Sequence, residues 1–199
     1  MKKDIQRYSG FLDIFNRPIP KYFTKEEVRK IIENAPGRNQ KKIFRNKLIM
    51  EMLWQTGARV SELLKIRPCD IDYYAKTIKI ITLKRKKFTV RIVPVKSELL
   101  GMIAQYIVNA KIQNEEPLFK IKARQIERIV KEACKKAGID NNRAHPHTFR
   151  HSFGVFHTLN RVPPAVLKEW MGHAKIENTL IYLKILSIDT RNYVENCEY

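Results

Sequence analysis

Cysteine is scarce in this chain: Cys69, Cys134 and Cys197 lie far apart and form no CxxC pair. An odd, sparse set excludes a disulfide framework and fits free thiols in a reducing compartment. No apolar run approaches the ~20 residues that a membrane span needs. The N-terminus has no signal-peptide core, so the expectation is a soluble, cytoplasmic protein that meets no membrane. Repeats and low-complexity tracts are missing too. Acidic residues are the most telling shortage, 20 Asp+Glu against 39 Lys+Arg, for a formal net charge of +19 and a pI near 10.0. Such an excess points to a polyanionic partner, because each phosphate contact releases condensed counterions. The apolar fraction of 44% is that of a globular protein rather than a disordered basic tail. Charge alone does not separate DNA from RNA, an anionic membrane or a ribosomal docking site.

A length of 199 residues suits one well-buried domain, or at most two small ones. Residues 1–17 show no clear period and read as an arm or linker remnant before Pro18 and Pro20; the domain is expected over 18–199. Thr24-Lys25-Glu26-Glu27 is a capping box that opens a helix through Val28, Ile31 and Ile32. A longer helix is predicted from about 41 to 55 with Phe44, Leu48 and Met52 on one face, ended by Gly57, and a short one from 60 to 66. Between Asp70 and Val95 the period changes. Two β-branched runs, 77–81 and 89–93, flank Lys84-Arg85-Lys86-Lys87 and predict a small antiparallel sheet with a basic turn. Helical periodicity returns over 97–111, 123–137, 147–160, 163–171, 176–185 and 187–197. The expected fold class is mainly α with one small antiparallel sheet (α+β).

Three stretches carry residues suited to phosphate chemistry. His147 and Arg150 stand at i and i+3 on one helix face, and Pro146 leaves His147 near an N-terminus that favours anions. Arg59 lies in Thr56-Gly57-Ala58-Arg59-Val60-Ser61-Glu62-Leu63, and its fork can hold two non-bridging oxygens at once. Gly172-His173 is followed nine positions on by Tyr182. Singly, each has an ordinary reading: a capping histidine, an arginine paired with an acidic neighbour, a half-buried core histidine, a packing tyrosine. His147 and His151, at i and i+4, also have the spacing of a metal pair, but no cysteine or nearby acidic motif completes such a site.

In this order the set resembles the catalytic domain of tyrosine recombinases (the phage integrase family), from about residue 18 to beyond residue 182. The first-arginine motif matches at Thr56, Gly57, Arg59, Val60, Glu62 and Leu63, and His147-Thr148-Phe149-Arg150 matches the HxxR motif. The LGHxxIxxTxxY-like pattern appears as Met171-Gly172-His173, Ile176, Thr179, Ile181 and Tyr182, with Met in place of the leading Leu. The resemblance implies a site-specific recombinase that cuts and rejoins double-stranded DNA, with Tyr182 forming a 3′-phosphotyrosine and releasing a 5′-hydroxyl. Arg59 and Arg150 neutralise the non-bridging oxygens, His147 serves proton transfer at the tyrosine, and His173 hydrogen-bonds an oxygen. No metal or other cofactor is implied.

The resemblance also implies a hairpin lysine that protonates the leaving 5′-oxygen. The family's glycine-bracketed lysine is absent; counting back from Arg91-Ile92-Val93-Pro94 places Lys86 there, with Lys84 the alternative if the turn is longer. Lys84, Arg85, Lys87 and Arg91 are the expected backbone-phosphate contacts. The separate N-terminal DNA-binding domain usual in this family does not fit in 17 residues, which leaves an excised catalytic fragment or a minimal enzyme. The tail 187–199 is expected to dock on a neighbouring protomer on DNA or to fold back in cis. The rival functions are type IB topoisomerase-like strand relaxation and DNA binding without catalysis.

Overall fold

The computed structural model describes residues 18–84 and 87–186 of the chain. The helix expected at 187–197 and the arm at 1–17 lie outside the described residues. The capping box forms as read: Thr24 Oγ1 accepts from the Glu27 amide at 3.2 Å, and the Glu27 carboxylate accepts from the Thr24 amide at 2.9 Å. It opens helix α1, Lys25–Glu33. Asn39 caps helix α2, Gln40–Thr56, by accepting from the Lys42 amide at 2.9 Å. Gly57 ends α2 with φ +58, where a Cβ would stand 2.7 Å from the Phe153 ring. Helix α3, Val60–Leu63, is shorter than its pattern suggested.

A turn at Pro68–Asp70 leads into a three-stranded antiparallel sheet of β1 (Ile71–Asp72), β2 (Thr77–Lys84) and β3 (Lys87–Pro94), in that order. The β2–β3 ladder pairs Ile78 with Val93, Ile80 with Arg91 and Lys84 with Lys87. Strand β1 is too short to carry a two-residue period and escaped the sequence reading. Helices α4 (Ser97–Ala110), α5 (Ala123–Lys136), α6 (Pro146–Leu159), α7 (Pro164–Met171) and α8 (Glu177–Leu180) follow. A 3₁₀ stretch, Ile181–Leu186, completes what periodicity presented as one helix.

The core wraps α2. Leu48, Ile49, Met50, Met52 and Leu53 are all buried, so this helix is covered on more than the single face the sequence suggested. Trp54 meets Phe156 of α6 edge-on at 5.1 Å, and Phe23 meets Phe149 at 5.3 Å. The Phe23 amide donates to Ser152 Oγ at 2.7 Å, and Arg143 pairs with Glu27 at 2.6 Å. These contacts fix α6 against the start of the domain. Among the described residues, no helix is long and apolar enough to cross a membrane.

Candidate active site

Helix α6 is the spine of the site. Arg150 faces inward, 4% exposed, and donates from Nη1 to the Gly57 carbonyl at 2.6 Å and from Nη2 to the Met171 carbonyl. One acceptor is the carbonyl of Gly57, which caps α2 at φ +58; the other is that of Met171, the last residue of α7 before Gly172 at φ +61. Two helix ends therefore aim orphan acceptors at one guanidinium. Burial, and then the charge of nearby Arg59, brings Arg150 down to about 10, still cationic at neutral pH.

Arg59 precedes α3 and stays 31% exposed, with Nη1 on Glu62 Oε1 at 2.9 Å. It lines a cleft of about 580 Å³ together with Thr82, Arg91, Lys168, Gly172 and His173. His173 holds Thr179 Oγ1 through Nδ1 at 2.8 Å, which leaves Nε2 for a ligand. Burial, helped by the charges of Arg150 and Arg59, pushes His173 down to about 3, so it is neutral at neutral pH. His147 sits exposed in the first turn of α6. Partial desolvation of its ring and the charges of Arg150 and Arg59 lower its pKa, placing it in the same electrostatic neighbourhood.

Tyr182 is 2% exposed, tucked beneath α6. Its ring lies where a Cβ on Gly154 would stand, 2.6 Å from Cε2 and Cζ, so only glycine lets the two approach. The histidine that meets its hydroxyl is His151, with Nδ1 at 3.0 Å. The expected partner, His147, is one turn nearer the helix start and at the surface. Tyr182 reaches α6 level with Gly154, deeper along the helix, where the i+4 histidine lies. Burial pushes the Tyr182 phenol up to about 12 against the pull of Arg150, while burial and the charges of His147 and Arg150 bring His151 down to about 4. The described pair is thus a neutral phenol beside a neutral imidazole.

Arg91 is one of the expected backbone-phosphate contacts. Rather than reaching out to a phosphate, it is 8% exposed and donates inward from Nε to the Trp170 carbonyl (2.8 Å), from Nη1 to Thr82 Oγ1 (2.9 Å) and from Nη2 to Glu62 Oε2 (2.6 Å). Glu62 is a permanent buried charge that requires a cation, and Arg91 supplies it. Lys84 and Lys87 end the β2–β3 ladder. Arg85 and Lys86, between them in the chain, lie outside the described residues.

Sequence reasoning passed over an exposed basic stripe on α5. Arg124, Arg128, Lys131 and Lys135 recur at i, i+4, i+7 and i+11 on its solvent face. Lys122, Arg124, Arg128 and Lys131 line a shallow surface with His145, the residue before α6. That spacing was the available signal. In the sequence, His151 reads only as half of a metal pair with His147.

The fold has known relatives. The profile of the phage integrase family matches residues 21–187. Tyrosine recombinase XerA of Pyrococcus furiosus is 32% identical over 191 residues, covering 90% of this chain and 62% of that protein. A tyrosine recombinase of Pseudothermotoga lettingae is 33% identical over 174 residues, covering 85% of this chain and 58% of its own length. The chain thus spans about three fifths of the length of these two proteins. The crystal structure of XerA recombinase superposes with a TM-score of 0.71 at 25% identity, over 92% of this chain and 68% of that one. The catalytic domain of bacteriophage HP1 integrase gives a TM-score of 0.65 at 23% identity, over 88% of this chain and 94% of that one. By this match over most of its length, the chain belongs to the phage integrase family.

Proposed function

We propose that this protein is a tyrosine-type site-specific DNA recombinase, working inside the cell, that cuts and rejoins strands through Tyr182. The observation that carries the reading is the convergence, from three separate stretches of chain, of Arg59 and His173 on one cleft with buried Arg150 near enough for its charge to act on both, and of Tyr182 against the helix that bears Arg150. Arg150 commits two of its five N–H groups to carbonyls and Arg59 commits one side-chain group to Glu62. The remaining donors suit non-bridging phosphate oxygens, whose charge grows in the transition state. His173 Nε2 adds a neutral donor or acceptor there.

In the cleavage step the Tyr182 oxygen forms a bond to phosphorus and the bond from phosphorus to the 5′-oxygen breaks. The phenol proton passes to a histidine; His151 is in place for it in the described state, and His147 is the partner that the family likeness implies. The 5′-oxygen leaves with a proton from a hairpin lysine, for which Lys86 is our assignment. Reversal by another 5′-hydroxyl rejoins the strand. The net charge of +19 and the exposed basic stripe of α5 support duplex DNA as the partner. Residues 187–199 are, in this reading, the segment that docks on a neighbouring protomer on DNA. Their deletion should spare binding by one protomer and weaken higher-order complexes; a truncated protein that unfolds instead refutes docking in trans.

The test is covalent trapping on a nicked suicide duplex, read on a denaturing gel, with peptide mapping of the adduct. The expected adduct is on Tyr182, and Tyr182→Phe should abolish it while retaining binding. An adduct that survives in the Phe variant refutes the assignment and points to Tyr193 or Tyr199. A two-site synaptic substrate then separates strand exchange from simple relaxation of supercoils.

A further inference from the structure

We propose that Arg91 is a positioning residue of the cleavage site: by occupying Glu62 it keeps the charge of Arg59 available to the scissile phosphate. This rests on reading the cleft as a phosphodiester site. An arginine beside a buried carboxylate is ordinarily neutralised by it, and a phosphate must then compete with an intramolecular partner. Glu62 is such a carboxylate, its side chain 3% exposed. Its Oε1 accepts from Arg59 Nη1 at 2.9 Å and from Thr82 Oγ1 at 2.6 Å. Its Oε2 accepts from the Arg59 amide at 2.8 Å and from Arg91 Nη2 at 2.6 Å.

With Arg91 present, Arg59, Glu62 and Arg91 together carry one net positive charge. Which arginine presents it is decided by burial. The Arg91 side chain is 6% exposed and fixed from all three of its nitrogens, whereas Arg59 is 31% exposed at the cleft and held by one side-chain bond. The surplus charge therefore faces the cleft through Arg59. Burial alone would raise the Glu62 carboxyl, yet the Arg91 hydrogen bond and charge, with Thr82 and the Arg59 amide, hold it at about 2, so the carboxylate stays ionised and competitive.

Arg91 also underlies the turn that carries His173. Its Nε holds the Trp170 carbonyl, and a Cβ at Gly172 would come within 3.1 Å of its Nη1. One guanidinium from β3 thus joins the Arg59 segment to the His173 segment.

The experiment compares wild type with Arg91→Met, Arg91→Lys and the double variant E62Q/R91M. Single-turnover adduct formation on the suicide duplex is measured beside duplex binding and a thermal melt. Arg91→Met should slow cleavage at least ~10-fold, a fraction of what losing a transition-state donor does. Duplex binding should change by less than ~3-fold, because many other cations share that load. Arg91→Lys, which keeps the charge, should regain most of the rate. E62Q/R91M should also regain it, because the competing carboxylate leaves with its counter-charge; two merely structural losses would instead add or compound. Arg91→Met cleaving at the wild-type rate, or E62Q/R91M no faster than Arg91→Met, overturns the proposal. Should Arg91→Met fail to fold, the double variant decides: cleavage within ~10-fold of wild type supports it, and a larger loss overturns it. A wild-type protein that forms no adduct at all brings down the recombinase reading itself, an outcome distinct from any of these.

Discussion

Truncating the proposed nucleophile should be a stability experiment as well as a catalytic one, because Tyr182 is part of the core. Its ring is 2% exposed and lies against Gly154. Tyr182→Ala empties an aromatic-sized space in a segment bounded by α6, where comparable truncations cost about 3–5 kcal/mol. For a domain of this size each kcal/mol moves the melting point by about 2–4 °C, so a loss of about 6–20 °C is expected. Tyr182→Phe removes only the hydroxyl and its bond to His151 at 3.0 Å. A single hydrogen bond is worth about 0.5–1.5 kcal/mol, and half-buried His151 can turn to water, so about 1–6 °C is expected at most. Both variants should be unable to form the covalent adduct. Thermal melts on protein without DNA, followed by circular dichroism, give the comparison. If Tyr182→Ala melts within a degree or two of wild type, the ring is not buried in solution and the arrangement under α6 is wrong.

Arg59→Ala and Arg150→Ala should each slow cleavage at least ~100-fold with a much smaller loss of duplex binding; equal losses in a filter or gel-shift assay would make them ordinary phosphate grips. Binding should fall ~10³-fold or more between 50 and 200 mM salt if six or more phosphates are neutralised, and Arg124→Ala with Arg128→Ala should lower the slope of log affinity against log salt by about 2. Gly154→Ala brings a Cβ to 2.6 Å from the Tyr182 ring, so it should destabilise by about 1–3 kcal/mol and raise the reactivity of Tyr182 toward phenol-directed reagents. Glu62, with an ordinary value of 4.5 lowered to about 2 in the fold, adds stability that is fully present above pH 4.5 and lost as pH falls toward 2; Glu62→Gln should flatten the melting point across that window.

The sequence was most readable where chemistry is local. Thr24 and Glu27 are three residues apart and cap the same turn, so the helix start needed no tertiary information. Gly57 and Gly172 likewise announce helix ends. What could not be read was the direction of β3. Alternation in Thr89-Val90-Arg91-Ile92-Val93 invites Val90 and Ile92 to face inward and Arg91 to face solvent. The structure reverses this: Val90 is 58% and Ile92 61% exposed while Arg91 is 8% exposed. Shifting a strand by one residue exchanges its faces, and here a buried carboxylate twenty-nine positions away chose the face. The role of His151 was hidden for a similar reason. Its contact depends on how the chain after Gly172 returns beneath α6, a distance of 31 residues that no local pattern encodes.

The two halves of the site differ in how finished they are, and the difference follows from what holds each. The phosphate half is preorganised: Arg150 is pinned by the carbonyls of Gly57 and Met171, and Arg59 and His173 are each tied to a buried partner, Glu62 and Thr179. Such donors need little reorganisation when charge appears on the phosphate. The nucleophile half is closed. A phenol at about 12 beside an imidazole at about 4 gives its proton up poorly, and at 2% exposure the Tyr182 oxygen has no open path to a duplex. The same burial that raises the phenol also keeps it from the phosphate, so a movement of the 3₁₀ stretch Ile181–Leu186 that exposes the ring relieves both obstacles together. That stretch is a natural place for it. It lacks the i to i−4 ladder of an α-helix, and the glycine at position 154 leaves no side chain to lock the ring in place. In the proposed reaction, chemistry then waits on a conformational step rather than on the assembly of the cationic cleft, and cleavage by the resting protein should be limited by how often Tyr182 leaves α6.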